Sequence, residues 1–214
     1  MRKVLTFVLL LFSVCVSAQK FELALTPQMG WNSWNKFASN INEDLIIEIT
    51  DAMVETGLRD AGYVYINLDD AWHGKRDKDG FIQADNKKFP HGIKWLSDYV
   101  HSKGMKLGIY SDCGRQTCGG EPGSFGHEYQ DALQYARWGI DYLKEDWCNT
   151  ENINPVGAYQ LMSDAIREAG RPVLLSMCEW GHSKPWRWAR DVGHSWRIGA
   201  DGCYDKHNPP SSSI

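Results

Sequence analysis

Nine side chains able to carry charge, move protons or bind hydroxyl groups sit at the ends of short apolar runs: Asp69, Asp70, Tyr110, Asp112, Lys144, Asp146, Glu179, Arg197 and Asp201. A charge taken out of water is costly unless it is paired or hydrogen-bonded. One such aspartate could simply cap the helix that follows it, but that explanation is poor for the whole set. Carboxylates gathered in one place either coordinate a metal or act as acids, bases and nucleophiles. Metal catalysis usually recruits histidine as well, yet His73, His91, His101, His127, His182, His194 and His207 fall mainly in expected loops and helices, and no Cys/His ligand spacing occurs. Neither a metal nor another cofactor is expected. Two carboxyl groups about 5 to 5.5 Å apart can instead cleave a glycosidic bond with retention of configuration. Asp146 and Asp201 are the candidates.

Something must hold these groups at one mouth, and the hydrophobic pattern says what. Six runs read as strands: Gln28-Met29-Gly30-Trp31, Tyr63-Val64-Tyr65-Ile66-Asn67-Leu68, Lys106-Leu107-Gly108-Ile109-Tyr110, Tyr142-Leu143-Lys144, Val173-Leu174-Leu175-Ser176-Met177 and Ser195-Trp196-Arg197-Ile198. Between them lie helical periodicities: Asn42 capping Leu45, Ile49, Ala52 and Met53, then residues 93–101, then Tyr129, Ala132, Leu133 and Ala136, then 156–169. Gly57, Gly104, Gly139 and Gly170 stand where left-handed residues would end these helices. The residues taken to close the strands, Trp34, Asp70, Ser111, Asp146, Glu179 and Asp201, follow at intervals of 36, 41, 35, 33 and 22, the rhythm of βα units. A doubly wound sheet alternates in the same way but usually carries a Gly-rich phosphate loop after its first strand, and Met29-Gly30-Trp31-Asn32-Ser33-Trp34 is unlike one. The expected fold is an α/β (β/α)8 TIM barrel, truncated after about six βα units, with its chemistry at the carboxyl ends of the strands.

Six motifs in order carry a resemblance: Met29-Gly30-Trp31-Asn32-Ser33-Trp34, Leu68-Asp69-Asp70-Ala71-Trp72, Gly108-Ile109-Tyr110-Ser111-Asp112, Thr117-Cys118-Gly119-Gly120-Glu121-Pro122-Gly123-Ser124, Tyr142-Leu143-Lys144-Glu145-Asp146-Trp147-Cys148 and Cys178-Glu179-Trp180-Gly181. Together they resemble the glycoside hydrolase family 27 α-galactosidases from about Leu25 to Asp201. The resemblance implies a retaining, exo-acting α-galactosidase working through a covalent galactosyl-enzyme, with Asp146 as nucleophile. Lys144, two residues earlier on the same strand face, would bind a sugar hydroxyl and favour the ionised nucleophile. Asp201, four residues after Arg197, matches the family's acid/base.

By the same resemblance Asp69 and Asp70 would accept hydroxyls of galactose, Trp34 would lie under the sugar and Tyr110 would form another wall. Glu179 would favour a plain 2-hydroxyl over the acetamido group of α-N-acetylgalactosaminidase substrates, and the retained aspartate pair argues against a β-L-arabinopyranosidase. Cys118 and Cys148 match a family disulfide, leaving Cys113, Cys178 and Cys203 free or mispaired. The family continues beyond Asp201 with further βα units and a β domain. A truncated chain that binds sugar without turnover, or is vestigial, is therefore the alternative expectation.

The remaining features set the context. Residues 1–18 read as a signal peptide, with Arg2 and Lys3 ahead of an apolar run too short to span a bilayer and Val16-Ser17-Ala18 at the cleavage point. A secreted or periplasmic protein is expected, with a partial catalytic barrel over 19–201 and an irregular Pro/Ser tail over 202–214. The formal net charge of -4, with Lys and Arg scattered, leaves no footprint for nucleic acid or a membrane surface. Galactose-containing oligosaccharides or polysaccharides are the expected partners, and ten Trp suit the apolar faces of sugar rings.

Overall fold

The computed structural model describes residues 23–201. The expected leader at 1–18 and tail at 202–214, Cys203 included, lie outside them. Eight strands are described: β1 (Gly30–Asn32), β2 (Tyr65–Asn67), β3 (His73–Arg76), β4 (Ile82–Ala84), β5 (Lys106–Asp112), β6 (Tyr142–Asp146), β7 (Leu174–Cys178) and β8 (Ser195–Trp196). The helices are α1 (Trp34–Phe37), α2 (Glu43–Glu55), α3 (Gly92–Ser102), α4 (Glu128–Trp138) and α5 (Pro155–Glu168). Six strands form one sheet in the order β1-β2-β5-β6-β7-β8, and every neighbouring pair in it is parallel. This is the sheet of a (β/α)8 barrel, carried through six strands.

The alternation along each strand explains the layers. Ile66, Leu107, Ile109, Leu143, Leu175 and Met177 are buried with the helix residues Ile46, Ile93, Leu96, Tyr135 and Met162 in one core, and full burial of each large apolar side chain is worth about 1.5–3 kcal/mol relative to exposure. The alternate residues face the other side of the sheet. At the amino ends of the strands that side is filled by Tyr65, Tyr142 and Leu174 with Leu23 packed against them. The two edges approach each other there, where the Gln28 amide donates to Ser195 Oγ at 3.1 Å. Asn42 caps α2 by accepting from the Leu45 N–H, and Gly57, Gly104, Gly139 and Gly170 all take positive φ.

Three expectations shift. The first strand is Gly30–Asn32, and Trp34 opens α1 instead of closing a strand. The last strand spans Ser195–Trp196, with Arg197 just beyond it. A hairpin, β3 with β4, was not anticipated. It places His73, expected in a loop, in a buried strand position, where burial drives its imidazole down to about 3. Among the described residues no helix is long and apolar enough to cross a membrane.

Candidate active site

Register builds the site from its floor. Tyr110 lies beside Lys144 and Lys144 beside Ser176, while Asp112 lies beside Asp146 and Asp146 beside Cys178. Two-residue periodicity therefore sets Tyr110, Asp112, Lys144, Asp146 and Cys178 on one face at the carboxyl ends of three central strands.

Asp146 is buried and firmly held. Its Oδ1 accepts the Trp147 N–H at 2.9 Å and the Trp180 indole N–H at 3.1 Å. Its main-chain oxygen accepts from the Cys113 N–H at 3.0 Å and the Tyr159 hydroxyl at 3.4 Å. Lys144 Nζ stands 3.7 Å from Asp146 Oδ2 and donates to Asp69 Oδ2 at 2.9 Å, while lying 4.8 Å from the Tyr110 ring centroid. Asn32 gives Asp69 Oδ2 a second donor at 2.9 Å. One ammonium thus links carboxylates from β2 and β6. Burial alone would lower the Lys144 pKa, but Asp69 and Asp146 outweigh it and hold the group above its usual range.

Asp70, also buried, takes the Gly119 N–H on Oδ2 and the Ala71 N–H on Oδ1, both at 2.7 Å, and burial raises its pKa despite these donors. A Cβ at Gly119 would lie 2.8 Å from that Asp70 oxygen, so the approach requires glycine. The neighbouring Cys118 is disulfide-bonded to Cys148, as expected, and Cys113 and Cys178 are free and buried. Next to the bridge, Asp112 accepts the Gly114 and Cys148 N–H groups at 2.7 and 2.8 Å, yet burial pushes it up to about 8. Asp112, Cys118, Asp146 and Cys148 have ligand-type atoms within 4.8 Å of one another. The two sulfurs are bonded to each other, so this group offers a metal no thiolate.

Glu179, buried just past β7, accepts the Ser183 N–H on Oε2 at 2.8 Å, and its buried Oε1 has no partner among the described residues. An acceptor left unsatisfied in this way costs about 1–3 kcal/mol. Trp34 is 40% exposed. Arg197 donates to Asp201 Oδ1 at 2.6 Å and lies 3.6 Å from the sulfur of Cys178, the register partner of Asp146, which brings Asp201 to the same mouth. The Asp201 side chain itself is 80% exposed.

Reading from the chain assigned no role to Asn32, Gly119 or Trp180, although each lies inside a quoted motif. Backbone strain marks one of them: Ala71, Asn149 and Trp180, just past β2, β6 and β7, take φ of 73°, 52° and 62°, and non-glycine residues held there are enriched at functional sites.

A family model described as Alpha galactosidase A matches residues 26–197. The chain belongs to the alpha-galactosidase A family. Among its relatives in that family, "Alpha-galactosidase A" of Cellvibrio japonicus is 64% identical over 208 residues, covering 95% of this chain and 52% of that protein. Alpha-galactosidase I of Mortierella vinacea superposes with a TM-score of 0.83 at 45% identity, over 84% of this chain and 47% of the other. The alpha-galactosidase of Saccharomyces cerevisiae, solved with raffinose, gives a TM-score of 0.85 at 41% identity, over 88% and 43%. The chain spans about half the length of the curated family members it matches.

Proposed function

We propose that this chain supplies the nucleophile and the galactose-recognition residues of an exo-acting, retaining α-galactosidase. The observation that carries the reading is the Asp146 carboxylate: two donors fix Oδ1, while Oδ2 faces the ammonium that also holds Asp69. In the first step Asp146 Oδ2 attacks the anomeric carbon, the glycosidic C–O bond breaks, and Asp201 gives its proton to the leaving oxygen. Water then attacks the same carbon, Asp201 takes its proton, and the bond to Asp146 breaks. Membership of the family and the raffinose bound to the Saccharomyces relative support an α-galactoside as the substrate.

Recognition follows from unmet and shared acceptors. The free Glu179 oxygen suits a 2-hydroxyl, and Asp69 and Asp70, fixed by Lys144, Asn32 and Gly119, suit hydroxyls on the far side of the ring. A site built to pair hydroxyls discriminates against sugars that leave it unpaired. Competing aryl glycosides should accordingly show galactoside preferred over N-acetylgalactosaminide and arabinopyranoside. The disulfide supports an oxidising location, secreted or periplasmic.

The test is Asp146→Asn with an aryl α-galactoside. Turnover is expected to fall by about 10⁴-fold or more; turnover at the original rate removes Asp146 as nucleophile. The exposure of Asp201 favours a second reading, sugar binding without turnover. Calorimetry against galactose beside the activity assay separates the two, since heat without product supports only the second.

A further inference from the structure

Beside Asp70 lies a histidine that the proposed reaction leaves idle. His73, at the start of β3, is buried, and neither of its ring nitrogens has a hydrogen-bond partner among the described residues. Its Nδ1 stands 3.7 Å from Asp70 Oδ1, just beyond hydrogen-bond reach. The ring is fixed by stacking on Trp72, with centroids 4.0 Å apart, and by an edge-on contact with Tyr110 at 6.4 Å. A buried imidazole that pairs neither nitrogen is costly, and burial keeps this one neutral, with one N–H to give.

We infer that His73 is a positioning residue for sugar recognition: in the galactose-bound protein its Nδ1–H donates to Asp70 Oδ1 and presents that carboxylate to a sugar hydroxyl. The inference rests on the galactose reading and adds a residue to it. The Tyr110 carbonyl also faces the ring, but it already accepts the Trp72 indole N–H at 2.8 Å. An ionised Asp70 makes the stronger bond. It also needs the donor, because burial favours its protonated form even with the Gly119 and Ala71 N–H groups in place.

The β3–β4 hairpin supplies the rigidity this role requires. His73 lies opposite Ala84, and a Cβ on the next residue, Gly74, would stand 2.5 Å from the Ala84 carbonyl oxygen, so the two strands approach closely. Arg76 then ties β3 to Asp131 of α4 and to the Gly123 carbonyl. A donor carried on a strand held this firmly loses little freedom when it bonds. The other ionisable groups around the pair are Asp69, Tyr110, Glu121, Arg76 and Lys88. Burial, together with the two cations, keeps His73 itself from taking up a proton.

Calorimetric titration of the 214-residue chain with galactose, repeated as the solution is made more acidic, tests this. His73→Leu fills the space without a donor and is expected to weaken galactose about tenfold. It should also move the acid limb of binding up by about one pH unit, because the charged form of Asp70 loses a donor. His73→Asn, whose amide N–H can stand near the position of Nδ1, should restore most of both. Equal weakening by the two variants, unchanged binding by His73→Leu or an unmoved acid limb overturns the inference. Nitrogen NMR of the labelled, unsubstituted chain needs no variant to fold: in the galactose complex His73 should carry its proton on Nδ1. A proton on Nε2 overturns the inference and leaves the galactose reading standing, whereas failure of the unsubstituted chain to bind galactose overturns the two together.

Discussion

At the end of β6, Asp146 is buried, fixed through Oδ1 by two donors and flanked by an ammonium shared with Asp69 just past β2; five residues beyond β8, the Asp201 side chain is 80% exposed and held by one arginine. The two carboxylates assigned to one reaction thus live under different physics. A nucleophile must meet a carbon along a fixed line, so rigidity serves it. An acid/base must gain and lose a proton within one cycle, and a water-accessible carboxyl can exchange that proton readily. The contrast teaches that the geometry is concentrated in the three central strands and the loops tied to them.

The sharpest way to test the contrast is Asp201→Asn, which should lower kcat by about 10²–10⁴-fold, less than the loss at Asp146. Steady-state rates with an aryl α-galactoside whose leaving group is already acidic should recover much of it, because that group needs no proton. Next in size is Lys144→Met, which strands Asp69, 3% exposed, without its ammonium. Denaturant unfolding should show a loss of about 3 kcal/mol, against less than about 1 kcal/mol for Arg197→Met, whose partner is in water. Equal losses would erase the distinction between the two strand ends.

Cys118→Ser opens a bridge spanning 30 residues of sequence and should cost about 2–4 kcal/mol in the same measurement. It should also loosen Gly119 from Asp70, raising KM for galactosides more than it lowers kcat. A pH-dependent effect concerns Asp112, whose folded value of about 8 lies far above its ordinary 3.8. The folded state then binds more protons than the unfolded one between those values, so this group's stabilisation is complete below about pH 4 and is lost as pH rises through 8. Melting temperatures across that window should decline, and Asp112→Asn should flatten the decline.

Local signals made much of this legible. Strand runs such as Lys106-Leu107-Gly108-Ile109-Tyr110 are apolar on the helix side, and the glycines at 57, 104, 139 and 170 end their helices because only a residue without Cβ takes that turn freely. The β3–β4 hairpin was hidden because His73-Gly74-Lys75-Arg76 has neither alternation nor β-branched residues. It is held from outside: Arg76 donates to Asp131 at 2.5 and 2.7 Å and to the Gly123 carbonyl at 2.8 Å, partners about 50 residues away. Motif order placed Asp146, Asp69 and Asp70 at one mouth. The supporting donors from Trp180 and Gly119 come from other loops, and no spacing within a strand announces a contact between loops.

The clasp from Gln28 to Ser195 joins positions 167 apart in the chain. During synthesis the amino-terminal strand must wait, unpaired along that margin, until nearly the whole of the described polypeptide has emerged. The entropy of closing so long a loop grows only with the logarithm of its length, by about 0.6 kcal/mol per doubling, so the delay burdens folding speed more than final stability. The clasp can therefore form only after both margins of the sheet have emerged.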